Sequence, residues 1–212
     1  MNAAKPTTGW DQIMTLPRRL TLTVDGELGI EPFGDIASLR YGHRHIDSLK
    51  LPANEEVVLQ NIRGNTLEIA AEIDVQNAPM VELNVLRSPH KEEFTRIAYY
   101  DGRGSRLKGN HRRGLSVVSL DSSYSSLLPQ ALSRAPEIAE VNIKPNELLK
   151  LRVFIDRSVV EVFVNERQCA AIRVYPSRED SVGVSLRSQG REATLKSLDA
   201  WQMKSCYQKK NC

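Results

Sequence analysis

Two carboxylates close together in the chain have the spacing that most resembles a catalytic pair. Asp156 and Glu161 lie five positions apart. A pair of carboxylates can hydrolyse a glycosidic bond, one acting as acid and the other as nucleophile or base. Both also have ordinary structural uses, because Asp156 suits a tight turn and Glu161 on a strand could pair with Arg152 or Arg173. The structural interpretation is the favoured one.

Histidine and cysteine supply no stronger chemical pattern. His43-x-His45 alone is a weak metal signal, and no serine or cysteine nucleophile motif accompanies the histidines at 43, 45, 90 and 111. His43 and His45 fall in a basic segment beside glycine, which we predict to be a solvated loop. The cysteines at 169, 206 and 212 lack metal-ligand spacing. The sequence therefore predicts no metal site and no cofactor.

Aromatic side chains could instead hold a sugar ring by stacking. Tyr99 and Tyr100 precede Asp101, and because neighbours on a strand face opposite ways, one of the two tyrosines can reach solvent. Ordinary packing in a strand is the favoured alternative for both. Trp201 lies in a leucine-rich segment and is expected in the core, whereas Trp10 lies near the start of the chain.

The stretch from Leu151 to Pro176 positions the two acids. Residues 151–155 are β-branched and aromatic, and 156–158 have side chains that suit a tight turn. Residues 159–164 alternate with the period of a strand, which puts Glu161 on the opposite face from the valines at 160, 162 and 164. Residues 165–168 turn the chain into a third strand at 169–175. Three consecutive antiparallel strands are predicted.

Short alternating runs elsewhere predict further strands, with one buried and one wet face in residues 67–73 and 81–87. Asp25-Gly26 predicts a hairpin with a two-residue turn, and Asp35 is expected to cap one helical turn at residues 36–39. The other runs are 46–51, 56–60, 95–101, 115–121, 139–143, 182–186 and 193–203. The pattern predicts an all-β fold, a two-sheet antiparallel β-sandwich of the concanavalin or lectin-like jelly-roll type. We place it at residues 20–204, with a lead at 1–19 and a tail at 205–212.

Composition excludes several classes of function. The chain has 212 residues, with 29 basic and 26 acidic side chains, and its net charge of +3 is too small for a nucleic-acid binder. It contains no run of eighteen apolar residues, so no membrane partner is expected. Residues 1–10 also lack the basic end and apolar run of a signal peptide.

Two segments of the chain carry a resemblance to a known family. The sequence LRVFIDRSVVEVFVNERQ at 151–168, followed by RVYP at 173–176, is similar to the C-terminal β-sandwich of glycoside hydrolase family 32, the invertase, inulinase and levanase family. Gly9-Trp10 with LPRRLTL, and then DGEL with EPFGDIASLR, resembles the join between that family's propeller and its sandwich. The two segments occur in the family's order and together span nearly the whole chain.

The resemblance implies a domain without the family's catalytic apparatus. The family carries its nucleophile in Asn-Asp-Pro-Asn, its transition-state stabiliser in Arg-Asp-Pro and its acid in Glu-Cys. No aspartate here is followed by proline, and Cys169 is preceded by Gln168. All three motifs belong to a five-bladed propeller that this sequence does not contain. We therefore transfer no catalytic residue, and the implied partner is a propeller joined in cis or bound in trans.

Three hypotheses remain open at this point. The first is a non-catalytic module that supports a fructan or sucrose hydrolase, with a possible homodimer. The second is a stand-alone module that binds fructan or another carbohydrate, and the third is an enzyme with an unrecognised acid pair. The candidate residues for carbohydrate binding or for a domain interface are Trp10, Arg19, Tyr99, Tyr100, Asp156, Arg157, Glu161 and Arg173.

Overall fold

The computed structural model describes residues 14–24, 26–76, 78–102, 116–131 and 134–206. Within these residues the chain forms one short 3-10 helix and fifteen strands. None of the helical structure in the described ranges is long and apolar enough to cross a membrane. The helix is Ile36–Leu39, and the strands are β1 (Arg18–Leu22), β2 (Leu28–Pro32), β3 (Arg40–Ile46), β4 (Leu49–Leu51), β5 (Glu56–Arg63), β6 (Thr66–Asp74), β7 (Met80–Arg87), β8 (Thr95–Tyr100), β9 (Ser116–Asp121), β10 (Glu137–Val141), β11 (Leu149–Asp156), β12 (Val159–Val164), β13 (Gln168–Arg173), β14 (Gly183–Gln189) and β15 (Ala193–Met203).

The strands form two large antiparallel sheets and one separate hairpin. One sheet has six strands in the order β10-β9-β8-β7-β14-β5, and the other has seven, in the order β13-β12-β11-β6-β15-β3 with β4 also paired to β15. Strands β1 and β2 pair only with each other among the described strands. This architecture confirms the predicted all-β sandwich.

The core lies between the two sheets because alternate residues of their strands are apolar. Ile69 of β6 and Val162 of β12 are fully buried, and so are Leu83 of β7 and Leu186 of β14 from the other sheet. All four belong to one hydrophobic cluster. Burying a side chain of this size contributes roughly 1.5–3 kcal/mol, so residues from both sheets hold the layers together.

The central pair of hairpins has the predicted layout. Asp156 pairs with Val159 across a two-residue turn, and Arg157 in that turn has a φ of +53°. The second turn joins β12 to β13, with Asn165 and Glu166 at φ of +48° and +56°. Asparagine tolerates this left-handed conformation better than most residues. The third strand ends two residues earlier than predicted.

The amino-terminal hairpin forms as predicted, but its turn is longer. Leu22 pairs with Leu28, and the amide of Thr23 donates to the carbonyl oxygen of Glu27 at 2.9 Å. The two-residue turn is therefore wrong, although Gly26 does take a positive φ of +77°. The predicted helical turn is confirmed as the 3-10 helix at Ile36–Leu39, where Oδ1 of Asp35 accepts a hydrogen bond from the amide of Ser38 at 3.3 Å.

Two predictions about local environment are wrong. The basic segment containing His43 and His45 is not a loop, because both residues lie on β3 at the edge of the seven-stranded sheet. Every residue of β7 is buried, including Glu82 and Asn84 on the face expected to be wet. Arg96 and Arg187 lie against Glu82, with guanidinium nitrogens at 4.0 and 3.8 Å. Long side chains of neighbouring strands therefore cover positions that alternation alone would leave in water.

Candidate functional site

The amino-terminal hairpin packs over the outer face of the seven-stranded sheet, beside the central hairpins. The amide of Ile30 donates to the carbonyl oxygen of Glu166 at 2.6 Å. Ile30 also packs against a small cluster formed by Phe154, Phe163 and Ile36. The two phenylalanine rings meet edge to face, with centroids 6.0 Å apart. This second apolar cluster lies outside the main core and fixes the base of the hairpin to the sheet.

Glu161 holds the segment before this hairpin in place. Its side chain is 3% exposed, and its carboxylate accepts hydrogen bonds from the amide of Leu16 at 3.0 Å and from Nη2 of Arg18 at 2.8 Å. The partner of Glu161 is therefore Arg18, and the expected pairing with Arg152 or Arg173 is wrong. The residue that sequence reasoning missed is 143 positions away along the chain.

The Cys169 thiol lies beside the same carboxylate. Its sulfur is 3.5 Å from Oε1 of Glu161. Burial, together with the negative charge of Glu161, raises the pKa of Cys169 to about 12. Cys169 is only partly buried, but its thiol stays protonated. It lies in the packed layer under residues 14–33, which we call the amino-terminal arm.

Arg152 pairs with a different buried acid. Glu68 is fully buried and accepts hydrogen bonds from Nε of Arg152 at 2.7 Å and from Nε and Nη2 of Arg40 at 2.7 and 2.6 Å. The Arg40 guanidinium also lies 4.1 Å from the ring centroid of Trp201. Trp201 is half-buried on this outer face, so its predicted place in the core is wrong. A bulge between Ala200 and Gln202 interrupts the strand register there.

The free end of the amino-terminal hairpin is apolar and exposed. Leu20 pairs with Ile30 and Leu22 pairs with Leu28, so all four side chains lie on one face. We call Leu20, Leu22 and Leu28 the apolar strip; they are 63%, 79% and 52% exposed. The strip continues outward from Ile30, which packs against the protein's own cluster. Six of the eleven exposed large apolar side chains in the described residues belong to positions 14–33, so this arm concentrates the uncovered apolar surface.

The remaining candidates around the central hairpins do not form one cluster. Asp156 and Arg157 are exposed at the first turn, and Arg173 is half-buried at the end of β13. Arg19 is exposed on the face of its hairpin opposite the strip, where its guanidinium lies 5.0 Å from the ring centroid of Phe33. Trp10 lies outside the described residues. Because Arg18 and Leu16 already occupy the Glu161 carboxylate, Asp156 and Glu161 do not present two free acids to a substrate.

The two adjacent tyrosines lie on opposite faces of the six-stranded sheet. Tyr99 is 2% exposed in the core, and its hydroxyl is 3.2 Å from Oγ of Ser116. Tyr100 faces outward and lines a pocket of about 690 Å³. The other residues around this pocket are Pro79, Met80, Val117, Ser119, Pro136, Ile138, Gln189 and Gly190. An aromatic ring in a largely apolar depression, with polar groups from Ser119 and Gln189, matches the general composition of a small-ligand site.

Comparisons with known proteins identify the domain. A family model described as glycosyl hydrolases family 32 C terminal matches residues 35–202. The chain is 27% identical over 208 residues to a levanase from Bacillus subtilis, covering 95% of this chain and 29% of that protein. It is 29% identical over 203 residues to a sucrose-6-phosphate hydrolase from Escherichia coli, covering 92% of this chain and 35% of that protein.

The fold has solved counterparts. The crystal structure of fructan 1-exohydrolase IIa from Cichorium intybus superimposes with a TM-score of 0.76 and 18% identity, covering 90% of this chain and 41% of that one. At this identity the likeness establishes the shared fold alone. The chain thus spans well under half the length of these relatives, and the part that it matches is the β-sandwich.

Proposed function

Since the chain belongs to the family of glycosyl hydrolase family 32 C-terminal domains, we propose that it is the non-catalytic β-sandwich module of a fructan or sucrose hydrolase. Its relatives include proteins named levanase and sucrose-6-phosphate hydrolase. The module packs against a catalytic propeller and supports its stability, its assembly or the rim of its substrate cleft. The family's catalytic motifs are absent from this sequence, so the contribution is mechanical.

The observation that carries this proposal is the apolar strip on the amino-terminal hairpin. Leu20, Leu22 and Leu28 form a contiguous apolar surface that the sandwich itself leaves uncovered. Exposed apolar patches of this kind mark surfaces that bind another protein or domain. In an enzyme whose C-terminal part is this domain, the propeller precedes the hairpin, so the hairpin is the part of the sandwich that follows the propeller most directly in sequence. Residues 1–19, including Trp10 and Arg19, form the proposed lead from that propeller.

Reconstitution from separate parts tests the docking. The chain is mixed with a family 32 propeller domain produced without its own sandwich, and hydrolysis of sucrose, inulin and levan is followed together with the thermal half-life of the activity. We expect no hydrolysis by the chain alone and a longer half-life in the mixture. Hydrolysis by the chain alone would contradict a non-catalytic module.

Substitutions in the strip make this test specific. Leu20→Ser combined with Leu22→Ser removes apolar surface from the strip and should raise the chain concentration needed for half-maximal protection at least tenfold. Leu127→Ser is the matched control, because Leu127 is exposed to a similar extent, 57%, in a loop elsewhere. Equal protection by the wild-type, strip-variant and control chains would exclude the strip as the contact.

The isolated chain should also associate weakly with itself through the same surface. Apolar area that lacks its natural partner is covered when two copies meet, at a gain of roughly 25 cal/mol per Å². Sedimentation velocity should show reversible association that the double serine variant abolishes. A strictly monodisperse wild-type monomer that binds no apolar dye would count against an unsatisfied docking surface.

A second candidate function is carbohydrate binding, which the pocket at Tyr100 favours. Its outward-facing ring lines a depression with polar neighbours, the arrangement used to stack and orient a sugar. Tyr100→Ala should abolish any retardation on fructan, levan or starch affinity gels. Tyr41→Ala is the control, since Tyr41 is an exposed tyrosine, 48% accessible, on the other sheet. Absence of retardation of the wild-type chain on all three gels would remove this candidate.

A further inference from the structure

Two histidines and an aspartate converge at the edge of the seven-stranded sheet. His43 and His45 are two positions apart on β3, so their side chains share one face of the strand. Asp199 of β15 is the direct cross-strand partner of His45. Sequence reasoning found the two histidines but not the acid, which lies 154 positions further along the chain.

The three side chains direct ligand-type atoms at a common point. Oδ1 of Asp199 lies 2.7 Å from Nε2 of His43 and 2.8 Å from Nδ1 of His45. These three atoms all lie within 4.8 Å of one another. Ligand atoms around a tetrahedral Zn²⁺ stand roughly 3.3 Å apart when each is about 2.0 Å from the metal. The two nitrogen–oxygen distances therefore need to lengthen by roughly half an ångström for the three atoms to surround an ion.

The hydrogen bonds between the two histidines and Asp199 each need a proton, and a bound metal ion would replace these protons. A carboxylate only accepts hydrogen bonds, so both imidazoles must donate to Asp199. The second nitrogen of His45, Nε2, lies 3.2 Å from Oδ1 of Asp47. A cation that replaces the shared protons would meet three ligand atoms, Nε2 of His43, Nδ1 of His45 and Oδ1 of Asp199.

We propose that His43, His45 and Asp199 bind a divalent transition-metal ion such as Zn²⁺, Cu²⁺ or Ni²⁺. Two neutral imidazoles and one carboxylate are a donor set that these ions prefer, whereas Ca²⁺ and Mg²⁺ prefer oxygen ligands. Three protein ligands leave one tetrahedral position for water, which can reach the site because both histidines are exposed. The ion would add a link between the edge strand β3 and β15 to the ladder hydrogen bonds and to the contacts of Arg40 and His43 with Trp201. This inference does not depend on the proposed docking function.

Trp201 provides a direct readout. Its ring stacks on the imidazole of His43, with centroids 5.1 Å apart and an interplanar angle of 14°. The protein has two tryptophans, so Trp10→Phe leaves Trp201 as the sole emitter. In a chain without a polyhistidine tag and dialysed against a chelator, Cu²⁺ or Ni²⁺ should quench this fluorescence saturably at one ion per chain, with half-saturation in the micromolar range. Zn²⁺ should compete with the quencher and raise the melting temperature.

Substitutions distinguish the site from unspecific binding. His45→Ala and Asp199→Asn, each in the Trp10→Phe background, should weaken quenching by Cu²⁺ at least tenfold without changing the circular dichroism of the metal-free protein. His90→Ala is the matched control, because His90 is an exposed histidine in a loop outside the cluster, and it should leave the titration unchanged. Unsaturable quenching, or titrations that are identical in the wild type and both ligand variants, would overturn the proposal.

Discussion

The outer faces of the two sheets both bury acidic residues, but they neutralise them differently. On the seven-stranded sheet, Glu68 accepts three short hydrogen bonds from Arg40 and Arg152, and Glu161 is held by Arg18. The chain's own arginines, one of them in the amino-terminal arm, therefore pair the buried acids of this face. A buried carboxylate is tolerated when its partners are charged and well oriented.

On the six-stranded sheet the pairing is uneven, because Glu56 accepts hydrogen bonds from Arg87 and Ser185 and lies 3.1 Å from Lys91, but Glu82 has no partner as close in the described part of the chain. Glu82 is 3% exposed, yet the cations nearest to it, Arg96 and Arg187, stand at 4.0 and 3.8 Å. Beside it, Oδ1 of Asn84 and Nε of Arg96 are buried without a hydrogen-bond partner in the described residues. The pocket at Tyr100 opens on this same face, because Met80 and Glu82 of β7 pair with Tyr100 and Ala98 of β8. The comparison teaches that the chain pairs the buried acids of one outer face itself and leaves some polar groups of the other, around Glu82, for water or a partner.

Removing Glu68 should have the largest effect on this contrast. Glu68→Ala leaves the guanidinium groups of Arg40 and Arg152 without their partner, and breaking a buried pair from one side typically costs 3–5 kcal/mol. Both arginines keep some exposure, so we expect a loss of about 3 kcal/mol in the free energy of unfolding, measured by urea denaturation. Glu82→Ala should cost about 1 kcal/mol. Equal losses would mean that the two faces are not closed differently.

Removing the contact between Arg18 of the amino-terminal arm and Glu161 should have the next largest effect on the free energy of unfolding. Arg18→Ala removes the charged donor from the buried Glu161 carboxylate, which should lower the free energy of unfolding by about 2 kcal/mol. Arg19→Ala is the neighbouring control, since Arg19 only covers the ring of exposed Phe33, and it should change stability by less than about 0.5 kcal/mol. If both alanine variants unfold at the same urea concentration, Arg18 does not anchor the arm.

The pH dependence of stability tests the ion pairing of Glu56, an acid of the six-stranded sheet that has close charged partners. Burial opposes ionisation of Glu56, but Arg87, Ser185 and Lys91 outweigh it and lower its pKa to about 2. A lowered pKa in the folded state gives stability that is present above about pH 4.5 and is lost as the pH falls towards 2. The wild type should therefore exceed Glu56→Gln in stability by about 2 kcal/mol near pH 6, and this difference should vanish by about pH 2. A difference that does not depend on pH would contradict ion pairing at Glu56.

The last prediction concerns the chemical reactivity of Cys169 and Cys206 and involves no change in the stability of the chain. With a pKa of about 12, Cys169 is almost entirely protonated at pH 8, whereas exposed Cys206 has an accessible thiol. Iodoacetamide followed by peptide mass spectrometry should label Cys206 at least about 100-fold faster than Cys169 in the folded chain. In denaturant the two rates should converge, and equal labelling in the folded chain would show that the arm does not cover this part of the sheet.

The sequence predicted the features that depend on neighbours along the chain. Alternation placed Val160, Val162 and Val164 in the core, and turn residues placed the two connections of the central hairpins. Asp35 identified the short helix. Prediction failed for the edge strand β3, because a strand that is exposed on both faces has no hydrophobic period to detect. It failed for Glu82 because long arginines from other strands cover it.

The sequence by itself determined the all-β class, the core faces of the central strands and the family of the domain, because these follow from local periodicity and from conspicuous short motifs. Only the tertiary structure decided which charges meet. Arg18 reaches Glu161, Arg40 reaches Glu68 and His45 reaches Asp199 across 143, 28 and 154 positions. The physical reason is that sheet order brings distant strands side by side, and the order β13-β12-β11-β6-β15-β3 is fixed by how the whole core packs.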